Sequence, residues 1–169
     1  MAGMFRVWQM SWVVLYLKPR CEKKVAEFCR IQGIEHYLPL RTERKIYQRR
    51  KVIVEKPVFP GYFFSSIDET DRLSLIKTNN IVKVIVPHDE KQFLFELEQV
   101  RKALMADPTL GSSVALERGK RVRIVGGPFM GIEGMVRAMR GQSKVYLNVE
   151  ILGQAVVAEV FREFLEVID

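Results

Sequence analysis

The chain has 169 residues, 48% of them hydrophobic and 28% charged, and carries a formal +7 from 27 Lys and Arg against 20 Asp and Glu. That composition excludes a disordered or collagen-like chain, and the length allows one or two domains with a sizeable core. The charge is local. Residues 18–56 hold 12 basic and 5 acidic residues, an excess equal to that of the whole chain, whereas the part after Leu104 holds 8 of each. Charge gathered in this way points to a polyanion such as nucleic acid, and it equally fits a solvated face.

In chain order, Trp12-Val13-Val14-Leu15-Tyr16-Leu17 is rich in β-branched and aromatic residues and predicts a buried strand, ended by Pro19. Six apolar residues followed by Lys18-Pro19-Arg20 suit neither a membrane span nor a signal peptide, so a cytoplasmic protein is expected. Cys21, Val25, Phe28, Cys29 and Gln32 share one face of a predicted helix with basic residues near its start and a stop at Gly33. The two cysteines lie about 12 Å apart on that helix, too far for a disulfide. His36 and His88 have no Cys or carboxylate partner at ligand spacing, so neither a metal nor a cofactor is expected. From Arg44 to Val54, two apolar flanks around a tip carrying Arg49, Arg50 and Lys51 predict a hairpin.

Phe59-Pro60-Gly61-Tyr62 predicts a tight turn into a strand ending near Ile67, followed by a short helix over Asp68–Lys77 and a strand over Val82–Val86. Phe93, Leu97, Val100 and Leu104 then define a longer amphipathic helix. Helices interleaved with strands that include a hairpin predict an α+β domain with a mostly antiparallel sheet over 10–104. Pro, Gly and Ser break the helical period over 105–115, which reads as a linker. Beyond it, Val122 and Ile124 alternate with arginines, and Val145, Leu147, Val149 and Ile151 alternate with Tyr146, Asn148 and Glu150. Such period-2 patterning predicts a small β-barrel over 116–169.

Gly126 and Gly131 have the spacing of a phosphate-binding loop, but Ile132 and Glu133 replace the Lys and Ser/Thr that would touch phosphate and magnesium. Turn glycines at barrel corners fit better. Two scattered histidines assemble no nucleophile and base, so the reading is non-enzymatic, and a carboxylate-only enzyme is the one catalytic class left open. The aromatic group Phe59, Tyr62, Phe63 and Phe64, with Tyr16 on a neighbouring strand, fits either ordinary core or an exposed partner surface.

Trp12, the run Leu15 to Val25, the Phe59-Pro60-Gly61-Tyr62 turn, Gly119-Lys120-Arg121-Val122-Arg123-Ile124 and Gly127-Pro128-Phe129 with Gly131 and Gly134 resemble the NusG family of transcription elongation factors. The likeness spans nearly the whole chain. It implies an N-terminal NGN domain and a C-terminal KOW domain of SH3-like form, working as a monomer. In the family, the NGN domain docks an apolar patch on the clamp helices of the RNA polymerase largest subunit and suppresses pausing. Carried over, the patch is Tyr16, Phe59, Tyr62 and Phe64. Lys18, Arg20, Lys23 and Lys24 match the region facing upstream or non-template DNA, beside the basic tip Arg49, Arg50 and Lys51. Phe129, with Met130 next to it, occupies the KOW loop that receives a ribosomal protein or Rho.

The Tyr16-Leu17-Lys18-Pro19 start and the short path from Gly33 to Leu40 look more like specialised, operon-specific paralogues of the RfaH type than like general NusG. Two residues depart from pattern. Val13 replaces an aromatic residue, and Lys56 stands where the RfaH-type paralogue has the acidic residue that ties its domains together. A helical, autoinhibited KOW domain is therefore not expected. The competing class is a ribosome-associated RNA-binding protein, against which the neutral balance of the C-terminal part argues.

Overall fold

In the computed structural model, which describes residues 10–169, the elements run β1 (Ser11–Leu17), α1 (Glu22–Gln32), β2 (His36–Tyr37), β3 (Leu40–Tyr47), β4 (Arg50–Pro57), β5 (Tyr62–Ile67) and α2 (Glu69–Lys77). They continue as β6 (Ile81–Ile85), α3 (Glu90–Ala106), β7 (Ser112–Val114), β8 (Lys120–Ile124), β9 (Glu133–Val136), β10 (Gln142–Val149), β11 (Gln154–Phe161) and β12 (Leu165–Val167). Every strand pair is antiparallel, so the mixed helix and sheet class expected for the chain is present. Contacts divide the described residues into two units, 10–38 with 59–90, and 39–58 with 91–169.

The first unit is a four-stranded sheet in the order β2-β5-β1-β6. Alternation along β1 sends Val13, Leu15 and Leu17 to one face, where they join Val25 and Cys29 of α1, Phe63 and Ile67 of β5, and Leu75 of α2 in one buried cluster. Gln32, expected on the apolar face of α1, is exposed in the last turn, whereas Val25 and Cys29 of that face are buried. Gly33 closes α1 at φ +70°, its N–H donating to Arg30 O. Asp68 caps α2 through the Asp71 N–H at 2.8 Å, and the Asp71 carboxylate accepts the Asp68 N–H at 3.2 Å, so two otherwise orphaned donors are satisfied.

In the second unit β3 and β4 form a separate two-stranded ribbon, longer than its charged tip predicts. Its base is fastened by the Thr42 N–H to Pro108 O at 2.8 Å and by Arg41 Nη2 to Thr109 O at 3.2 Å. Lys56 pairs with Glu43 within the ribbon at 2.8 Å. The remaining strands form a six-stranded sheet in the order β12-β8-β9-β10-β11-β7, whose buried face alternates as predicted through Val122, Ile124, Val145, Leu147 and Val149. A small barrel is expected, and among the described residues no ladder joins β12 to β7. Both edges of β11 are already taken, by β10 and by β7, so β12 and β7 remain as short edges. At Gly134 a Cβ would lie 2.7 Å from Val145 Cγ1 and 2.8 Å from Tyr146 O, so glycine alone lets β9 approach β10 this closely.

The segment expected as a linker is largely built into structure. Met105 and Ala106 finish α3, Asp107 Oδ1 accepts from the Thr109 N–H at 2.9 Å, Leu110 is buried, and 112–114 pair with β11. The side-chain amide of Asn148 exchanges two hydrogen bonds with the Leu116 backbone, at 2.8 and 3.0 Å, and so fixes where the chain joins β10.

Candidate nucleic-acid interface

The predicted aromatic group separates into two parts. Tyr16 and Tyr62 are direct neighbours on β1 and β5, with ring centroids 5.2 Å apart, and Tyr16 is 39% exposed. The turn before Tyr62 sets this pair. Gly61 adopts φ +87°, a value glycine tolerates without strain, and its missing Cβ would lie 3.2 Å from Tyr16 Cε2. Phe59 and Phe64 differ from the expected surface, since they are 1% and 0% exposed and meet edge to face at 6.4 Å. Phe64 also stacks near Tyr37. Their apolar rings have found internal partners, which leaves the two tyrosines as the accessible part of the set.

The basic residues fall on both units. Lys18, Arg20, Lys23 and Lys24 are exposed around the start of α1 in the first. There Pro19 and Arg20 form the corner of a turn in which the Cys21 N–H donates to Lys18 O at 3.3 Å, with Arg20 held at φ +62°. A left-handed arginine is costly backbone, and it carries its guanidinium outward beside the helix start. Arg49, Arg50 and Lys51 are exposed at the ribbon tip in the second unit, where Gln48 and Arg49 take φ +46° and +68°. Phe129 and Met130 lie in the turn between β8 and β9, closed by the Met130 N–H to Gly127 O at 3.2 Å; Met130 is exposed and Phe129 half-buried.

Sequence reasoning missed the contacts of α3 with the six-stranded sheet. Gln99 Oε1 accepts the Glu133 N–H at 2.9 Å, and the Glu96 carboxylate accepts the Glu150 N–H at 3.3 Å. Both side chains are buried, and burial, with the nearby Glu150 charge, pushes the Glu96 carboxyl up to about 7. A cavity of about 250 Å³ opens beside them, bounded by Gln92, Arg121, Tyr146 and Asn148. The available signal was a second, polar stripe at i, i+3 beside the apolar one on α3. The Cys29 thiol is pushed up to about 11, chiefly by burial, which makes it inert. Among the described residues no cluster of His, Cys, Asp and Glu could hold a metal, and no helix is long and apolar enough to cross a membrane.

The chain is similar in fold to a solved chain described as "Domain interaction in Thermotoga maritima NusG", at a TM-score of 0.53 and 17% identity, covering 96% of this chain and 99% of that one. That likeness defines a fold of mixed helices and sheets. A family model described as "NusG: Transcription termination factor nusG" matches residues 10–104, more than half of the chain, and the chain belongs to the NusG family. It is 23% identical to the transcription termination/antitermination protein NusG of Borreliella burgdorferi, covering 92% of this chain and 97% of that protein. Against the NusG of Lactococcus lactis the identity is 27%, with 89% of each covered.

Proposed function

We propose that the protein is a non-enzymatic transcription elongation factor and antiterminator that binds RNA polymerase through residues 10–104 and suppresses pausing or termination. The family match over those residues carries the reading. The Tyr16–Tyr62 pair, exposed at Tyr16 and half-buried at Tyr62, supports a docking surface for the clamp helices of the polymerase largest subunit, since paired aromatics with an accessible face are frequent anchors of interfaces. The cations at the start of α1 support a path for upstream or non-template DNA. Residues 116–169 act as a KOW module whose β8–β9 turn, with Met130 outward, recruits a ribosomal protein or Rho. The factor works in the cytoplasm as a monomer, and the run Tyr16 to Pro19 favours an operon-specific paralogue over a general factor.

A paused-transcription assay on several templates tests this. Suppression confined to templates with one DNA element is the expected result, and uniform suppression would mark a general factor. No effect on polymerase at all would overturn the proposal. Tyr16→Ala and Tyr62→Ala should each weaken polymerase binding by about 1 kcal/mol or more, and unchanged binding with an intact fold would remove the tyrosines from the interface.

A further inference from the structure

The β3–β4 ribbon carries seven basic residues against two acidic ones, and its outer half projects with both faces in solvent. Cross-strand partners share a face. One face therefore presents Tyr47 with Arg50 and Lys45 with Val52; the other presents Ile46 with Lys51 and Arg44 with Ile53. Ile46, Tyr47 and Ile53 are 77%, 68% and 67% exposed, which is unusual for apolar side chains on a two-stranded sheet. Among the described residues Arg44, Arg49, Arg50 and Lys51 make no ion pair. The turn is of the kind that favours Asn-Gly, yet Gln48 and Arg49 fill both left-handed positions. The sequence thus keeps an arginine at the tip where the backbone favours glycine.

We infer that this ribbon enters the major groove of duplex DNA, with Arg49 and Arg50 at the base edges and the cations of its two faces on the phosphates of the two strands. The inference rests on the reading of the protein as a factor working beside DNA. A two-stranded ribbon fits the major groove, about 12 Å wide and 8.5 Å deep, and four residue pairs at about 3.3 Å each extend roughly 13 Å beyond the anchored base. A single strand would favour positive charge along one track with a series of stacking rings, and this ribbon has one tyrosine and charge on both faces. The deep, narrow major groove of duplex RNA would not admit it. Exposed Ile46 and Ile53 suit the apolar methyl groups that thymine presents in the major groove.

The test is anisotropy of the full chain with a labelled 30-base-pair DNA duplex, the matching single strand and an RNA duplex, together with dimethyl sulfate protection of guanine N7 in the major groove. The expected result is preference for duplex DNA with N7 protection. Arg49→Ala, Arg50→Ala and Lys51→Ala combined should remove the protection and lower the slope of log K against log salt by about 0.9, since of the three only Lys51 lies on a phosphate. Arg49→Gly separates binding from folding: it relaxes the left-handed residue, so the melting temperature should hold or rise while affinity falls. Equal or tighter binding to the single strand or to RNA, an unprotected N7, or an unaltered slope would overturn the inference. The Arg49, Arg50 and Lys51 substitutions weakening polymerase binding while leaving duplex binding intact would assign the ribbon to protein contact and overturn it too. Failure here leaves the pausing assay and the Tyr16 and Tyr62 variants untouched, and failure of those leaves the duplex measurement readable.

Discussion

Glu96 should make the stability of the second unit fall with rising pH. Its carboxylate is buried on α3 and accepts the Glu150 N–H, while the Glu150 charge opposes its ionisation. Arg121 borders the same cavity, but its guanidinium pairs with Asp169 at 3.3 Å. The folded carboxyl titrates at about 7 against an ordinary 4.5. A raised value means that the neutral form is the one the fold prefers. Its contribution is complete below about pH 4.5 and is lost as the pH rises through 7. At about 1.4 kcal/mol for each pH unit of displacement, the whole effect is on the order of 3 kcal/mol.

Glu96→Gln keeps an acceptor for the Glu150 N–H and removes the titration. Urea unfolding of the two proteins should give similar midpoints at pH 5, and at pH 8 the variant should be more stable by about 2 to 3 kcal/mol. Where α3 leaves the sheet before either unfolds, the protection factors of the Glu133 and Glu150 amides read the same event, falling above pH 7 in the parent and much less in the variant. Parallel stability profiles between pH 5 and 8, with unaltered protection of the Glu150 amide, would refute the reasoning.

Phe64→Ala should cost about 3 to 5 kcal/mol in chemical denaturation because it empties a fully buried site, whereas Tyr16→Ala, at a partly exposed site, should cost far less stability; equal losses would contradict the assignment of core and surface. Gly134→Ala should destabilise by roughly 1 to 3 kcal/mol, since its Cβ meets Val145 Cγ1 and the Tyr146 carbonyl, and an unchanged melting temperature would show that β9 and β10 are less tightly apposed.

Much of the architecture was legible because it depends on neighbours in sequence. The β-branched and aromatic run Trp12 to Leu17 reads as a buried strand and forms one, with Val13, Val14, Leu15 and Leu17 buried, and Gly33 supplied the left-handed residue that ends α1. The site was legible as chemistry. The cations at 18–24 and 49–51 are exposed, as expected of charged side chains at a helix start and a hairpin tip.

Exposure of apolar side chains was decided elsewhere. Tyr62 and Phe64 share a strand face, yet Phe64 meets Phe59 and Tyr37 while Tyr62 rests beside the partly exposed Tyr16. Only the long-range register of β1, β2 and β5 makes that distinction. Closure of the second sheet likewise depended on whether 112–114 would claim the free edge of β11, a choice between distant strands that alternation cannot express. Glu96 shows the same division in one residue. Sequence fixed neither its burial nor its bond to Glu150, because both arise where α3 meets the sheet, 54 residues away along the chain. Local pattern determines which element a segment becomes, and burial in the tertiary structure decides which of its side chains remain available to a partner.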